Sequence, residues 1–179
     1  SQQTVGPTLG TMSLEKSLRA GVLGFLAVII FMIIFYRIPG LLASIVLIIY
    51  ISLVLTVFKL VPVTLTLAGI GGFILSIGMA VDANVLIFSI MREELRRGKN
   101  LGLAIEDGFS RAWPSIRDGN ITTLIVAVIL FAFGTSFIKG FALTLSLGIL
   151  ISMFSAIFIS KNFLRCFAET KLEKFKFLW

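Results

Sequence analysis

The chain has no histidine and a single cysteine, Cys166, in 179 residues. Without histidine, imidazole acid–base catalysis and histidine metal sites are excluded. One cysteine excludes an intrachain disulfide and any CxxC site. Charge is scarce too: 14% of residues are charged, 58% are hydrophobic, and the mean hydropathy is +1.05. Soluble domains run to about 25% charged and roughly 45–50% apolar residues, so a water-soluble globule is excluded. Acid is scarcer than base, nine against 16, for a net charge of +7. In a multi-pass membrane protein that excess marks cytoplasmic loops, and nucleic acid need not be invoked. There is no nucleophile–base pair and no phosphate-cradling loop. Gly69-Ile-Gly71-Gly72 falls inside an apolar run, where helix packing explains it. An enzyme is therefore not expected, nor a cofactor or a metal. The chain opens at Ser1 rather than Met, without a basic-then-apolar leader. It is expected to be part of a longer protein and to carry no signal peptide.

What is present is a series of long uncharged runs: 20–36, 38–58, 60–81, 119–138 and 140–160. Crossing a hydrocarbon core takes about 20 apolar residues, within a range of roughly 17–25. Backbone groups in lipid must be satisfied within the segment, which favours helix, and the period-2 alternation of a membrane barrel is absent. The expected fold is an all-α membrane protein with five transmembrane helices, at about 17–37, 41–58, 62–91, 119–138 and 140–165. Pro39-Gly40 is read as a tight turn, and Pro62 as a helix start. Residues 1–16 form a lead-in segment, 17–165 the bundle, and 166–179 a tail.

Lys and Arg set the orientation. Arg37, the stretch 92–118 and the chain from Lys161 onward hold 12 of them, while Lys16, Arg19, Lys59 and Lys139 are alone on the other side. The tail and the 92–118 loop are thus expected in the cytoplasm and the lead-in in the periplasm. Within that loop Leu101, Ile105 and Phe109 recur at i, i+4 among Glu106, Asp107 and Arg111. This reads as an amphipathic helix on the inner membrane face, or as a solvated connector. Glu93 and Glu94 beside Arg96 and Arg97 read as a solvated helix end.

One acid interrupts the apolar pattern. Asp82 stands in Gly78-Met-Ala-Val-Asp82-Ala-Asn84, with nine uncharged residues between it and Arg92. That is about 15 Å of helix, too far for an aspartate to snorkel. Placing its charge there costs at least about 2.5–3.5 kcal/mol. Desolvation disfavours the charged form, which suits a carboxyl that takes a proton from one side and releases it to the other. A residue that merely hydrogen-bonds a neighbouring helix is the plainer alternative. On a helical projection Thr64, Gly71, Gly78, Asp82 and Ser89 fall within about 20° of one line. Small residues admit a close neighbour, so this stripe is expected to be a helix-packing face, turning Asp82 toward protein. Polar stripes on the next two helices (Asn120, Thr123, Ala127 and Gly134; Thr144, Gly148, Ser155 and Asn162) are expected to meet it in one seam. Every Lys and Arg lies at or beyond a helix end, so a cationic partner for Asp82 would come from another chain.

Several segments in order carry a resemblance: Val81-Asp82-Ala-Asn84-Val-Leu-Ile-Phe88, Arg92-Glu-Glu-Leu95, Ala104 to Phe109, Asp118-Gly-Asn120-Ile-Thr122-Thr123 and Lys139-Gly-Phe-Ala-Leu-Thr-Leu-Ser-Leu-Gly148. With Val5 to Gly10, the pattern resembles the SecD family of bacterial protein-export membrane proteins over about residues 5–165. The resemblance implies a half-bundle of the resistance-nodulation-division type, carrying spans two to six, with the first span and a large periplasmic domain absent. It implies pairing with SecF, association with the SecYEG channel, and use of the proton motive force to assist preprotein translocation across the bacterial inner membrane. It places the essential carboxylate at Asp82 and a relay region at Asn120, Thr122 and Thr123, with the cation supplied by SecF. Two departures stand out: Ser89-Ile-Met91 where the family usually has Glu-Arg-Ile, and Ala68 where a proline is common. A proton-driven exporter or permease of the same superfamily, and a non-conducting scaffold subunit, are the alternative functions.

Overall fold

The computed structural model describes residues 7–168, all helical apart from short connections. Residues 1–6 of the lead-in and 169–179 of the tail lie outside the described residues. The elements are α1 (Pro7–Leu60), α2 (Leu67–Arg96), α3 (Leu101–Phe133), α4 (Ser136–Phe154), a π-helical turn (Ser155–Ser160) and α5 (Lys161–Ala168). Among the described residues, four helical stretches are long and apolar enough to cross a membrane.

The first of these, Met12–Leu60, holds 49 residues. At about 1.5 Å per residue it would far exceed a hydrocarbon core of ~30 Å. It does not run straight. Arg37 takes φ 48 and ψ −115, breaking the helix into arms 7–36 and 38–60. Pro39 is the cause: it has no N–H for the carbonyl four residues back and its ring crowds that group. That carbonyl belongs to Phe35, and Arg92 Nη2 donates to it at 2.6 Å. The same guanidinium lies 5.1 Å from the centre of the Tyr36 ring. A Cβ on Gly40 would overlap the backbone of Met32, so only glycine permits this reversal. Gly21, Phe25 and Ile51 then line one groove, which places the arms side by side. The tight turn expected at Pro39-Gly40 is this break, centred on Arg37, between the two arms of α1.

Two other boundaries differ from expectation. The helix read from residue 62 begins at Leu67, because Thr66 caps it, its hydroxyl accepting from Gly69 N at 3.0 Å. A hydroxyl acceptor outweighs a proline placed near the start. The stretch 92–118 is not a loop lying on the membrane. α2 continues to Arg96, a four-residue connection holds Gly98 at φ +92, and Asn100 caps α3 by accepting from Leu103 N at 2.8 Å. α3 then runs through Pro114 to Phe133 without interruption. Its apolar stripe, Leu101, Ile105 and Phe109, is buried in the bundle core. The periodicity was that of an amphipathic helix, and protein, not lipid, covers its apolar side.

α2 is the central element, packed most extensively on α4, then on α3 and α1. Small and polar residues let α2 and α4 approach. A Cβ on Gly72 would lie 2.6 Å from Phe141 O. Thr144 Oγ1 donates to Gly69 O at 2.8 Å, and Tyr50 Oη to Ser76 Oγ at 2.8 Å and Gly148 O at 3.2 Å. Further along, Ser160 Oγ in the π turn donates to Asn84 Oδ1 at 2.8 Å. Other buried polar side chains, such as Ser44 and Ser152, donate to carbonyls of their own helix, as a low-dielectric interior requires.

Candidate functional site

Asp82 sits near the midpoint of α2, 15 residues past Leu67 and 14 before Arg96. Its carboxyl lines a groove of about 290 Å³ between α2 and α3, with Asn120, Thr123, Ser115 and Gly119 on the facing wall. Asn120 is buried and Thr123 half-buried, whereas Asp82 is exposed in this chain by itself. The groove therefore brings together Asp82, Asn120 and Thr123. It does not include Thr122, which is exposed and donates to Asp118 O at 2.8 Å within its own helix. Thr123 also donates within its helix, to Gly119 O at 3.0 Å. No Lys or Arg lines the groove. A carboxylate sharing a groove with an amide and a hydroxyl, midway along an apolar helix, can accept hydrogen bonds there, including from an arriving cation.

The stripe expected to pack helices lies on the opposite side from the packing. Thr64 precedes α2 in non-helical chain, and Gly71, Gly78, Asp82 and Ser89 are all exposed. A Cβ on Gly71 or Gly78 would meet nothing within 4 Å. Packing inside this chain uses Gly69, Gly72, Ser76, Ala80, Asn84 and Ile87. The reason is energetic: that face also carries Phe88 and Met91, whose burial removes more apolar area from water and lipid than a row of glycines. Nor do the three polar stripes meet in one seam. Thr144, Gly148 and Ser155 are buried against the inner side of α2, Asn162 is exposed and donates to Phe158 O, and Asp82 with Asn120 opens on the outer side.

The cation-rich end holds a site that the charge pattern did not reveal. Glu94 is 1% exposed, with Lys99 Nζ at 2.6 Å, Arg97 Nη1 at 3.0 Å and Arg111 Nη1 also in contact. It is no solvated helix end; only Glu93, exposed and paired with Arg97 at 2.6 Å, fits that reading. The signal was present, since Ile87, Met91 and Glu94 lie on one helical face at i, i+4, i+7. Asp107, and then Glu94, hold the Lys99 ammonium above its ordinary pKa. Across the same end, Glu106 of α3 meets Lys161 at 3.0 Å and also Arg165, tying α3 to the last helix.

A bundle of long apolar helices, one of them with an acid at its midpoint, defines a multi-pass membrane protein. Comparison with known proteins identifies which kind. The family described as protein export membrane protein SecD/SecF, C-terminal, matches residues 1–170. Protein translocase subunit SecD of Dehalococcoides mccartyi is 57% identical over 178 residues, covering 97% of this chain and 40% of that protein. SecD of Thermobaculum terrenum is 57% identical over 169 residues, covering 92% of this chain and 33% of that protein. The crystal structure of SecDF from Thermus thermophilus, described as a translocon-associated membrane protein, superposes with a TM-score of 0.90 at 38% identity, covering 93% of this chain and 23% of that one. The chain belongs to the SecD/SecF family of protein-export membrane proteins, and spans well under half the length of these relatives.

Proposed function

We propose that this chain is the membrane-embedded part of a Sec protein-export subunit, with Asp82 as its proton-carrying group. The observation that carries this reading is a carboxyl at the midpoint of a 30-residue apolar helix, open to a groove that also presents Asn120 and Thr123. One elementary charge moved through 100 mV is worth about 2.3 kcal/mol, enough to bias a rearrangement between two helix packings. The bend at Arg37 supports five crossings rather than four, since each arm is long enough to span. The cations Arg92, Arg96, Arg97, Lys99 and Arg111 lie toward the α2–α3 turn, with Lys161 and Arg165 joined to that end by Glu106. The positive-inside rule then assigns it to the cytoplasm and the start of α1 to the periplasm, in a bacterial inner membrane.

The exposed Gly71, Gly78 and Asp82 face fits a second bundle, supplied by SecF, that closes the groove and brings the cation Asp82 lacks. The pair would act beside SecYEG on a translocating preprotein. The test is Asp82→Asn in the full-length protein. Preprotein export driven by a proton gradient is expected to fall to the level seen without the gradient, while expression and assembly stay normal. Undiminished gradient-driven export would reject the reading. Loss of assembly with proton flux intact would favour a scaffold.

A further inference from the structure

A second cleft, of about 230 Å³, opens at the cation-rich end between α3, the π turn and Ile87 of α2. It meets the Asp82 groove at Ile116, which lines both. It is lined by Phe109, Trp113, Ile116, Ala156 and Ile157, with Ser110 and Lys161 as its polar members. From Phe109 to Ile116 the wall runs about 10 Å along α3 toward mid-membrane. Lys161 is the one charged residue of the lining, and apart from Ser110 the rest of it is apolar.

Charge around Lys161 is unbalanced. Lys161 Nζ lies 3.0 Å from Glu106 and 5.9 Å from the centre of the Phe109 ring. Arg165 reaches the same Glu106 carboxylate. Two cations thus share one acid, leaving an excess positive charge beside an apolar slot. Trp113, half-buried in the lining, is a residue type that settles at headgroup depth. A helix, about 10–12 Å across, does not enter this space, whereas part of a single acyl chain does. The wall facing α3 is a π-helical turn, a rare feature that recurs at functional sites.

We infer that this cleft is a binding site for an anionic phospholipid, one acyl chain lying against Phe109, Ile116 and Ile157 and the headgroup phosphate meeting Lys161 and Arg165. The inference does not rest on the proton-carrying role of Asp82. The test uses the full-length protein in nanodiscs, with tryptophans other than Trp113 replaced by phenylalanine. Trp113 fluorescence is titrated with acyl-brominated phosphatidylglycerol or acyl-brominated phosphatidylethanolamine. Phosphatidylglycerol is expected to quench at a mole fraction about fivefold lower, the effect of one basic residue near an anionic surface. Lys161→Gln should bring that ratio to about one, Lys161→Arg should keep it, and Glu106→Gln, which frees a second cation, should raise it further. Equal quenching by both lipids in the unsubstituted protein would overturn the inference. So would no quenching by either, or variants that only lower the melting temperature while the ratio stays unchanged.

Discussion

Glu93 and Glu94 are neighbours in the chain, yet one faces water and the other lies beneath three cations. A buried carboxylate is tolerated when charge-assisted hydrogen bonds replace its hydration, and removing one partner strands the other. Glu94→Gln is therefore expected to lower the melting temperature in detergent clearly, and Glu93→Gln to leave it within error. Lys99 adds a pH dependence. Asp107 and Glu94 raise its pKa above 10.5 in the folded protein. Its contribution is fully present below pH 10.5 and is lost as pH rises through the folded value. Alkaline melts should show this decline, and Lys99→Met should flatten it. The buried face of α2 was readable at Ile87 and Met91, and extending it one turn reaches Glu94. The partners from α3 were not readable, because Arg111 lies 17 residues away and meets Glu94 only once α3 folds back.

At the level of elements, glycines separate into those that are filled and those that are open. Gly72 is pressed against α4, where a Cβ would lie 2.6 Å from Phe141 O. Gly72→Val should destabilise the bundle by about 1–3 kcal/mol, read by thermal or denaturant unfolding. Gly71→Val, with no neighbour within 4 Å, should stay within about 0.5 kcal/mol. If Gly71→Val instead weakens co-purification with a second bundle, the open stripe is an interface between chains. Sequence periodicity found that a small-residue line exists on α2. It could not say which side the neighbouring helices would take, since α2 carries two such lines, Gly71-Gly78-Asp82 and Gly69-Gly72-Ser76-Ala80-Ala83. The bend at Arg37 was half legible: Pro39 announces a break, but the capping of Phe35 O by Arg92 spans 57 residues.

For the whole molecule, the lopsided distribution matters most. The stretches Met12–Leu60, Leu67–Arg96 and Ser136–Cys166 each have 44% of their most apolar part buried in the bundle, while α3 has 17%. The outer half of α3, from Ile121 to Phe133, and the Asp82 side of α2 together form an open apolar face around one acid. Burying an acid in lipid alone costs several kcal/mol, so a partner bundle is the favourable cover. Thr123→Cys should react readily with a water-soluble maleimide when this subunit is purified by itself, and several-fold more slowly in the assembled pair. Equal labelling in both states would leave the groove outside the interface.

The amino-acid sequence determined the chemical class by itself: long uncharged runs force helices that satisfy their own backbone, and a lone mid-run aspartate marks the place where desolvation must be relieved. Its local signals also located the Pro39 break and the amphipathic stripe that begins at Leu101. Tertiary structure alone decided which faces touch. Sidedness depends on the summed burial of residues far apart in the chain, and it turned the Asp82 stripe outward, drew Glu94 inward, and set Lys161 beside Glu106 across 55 residues.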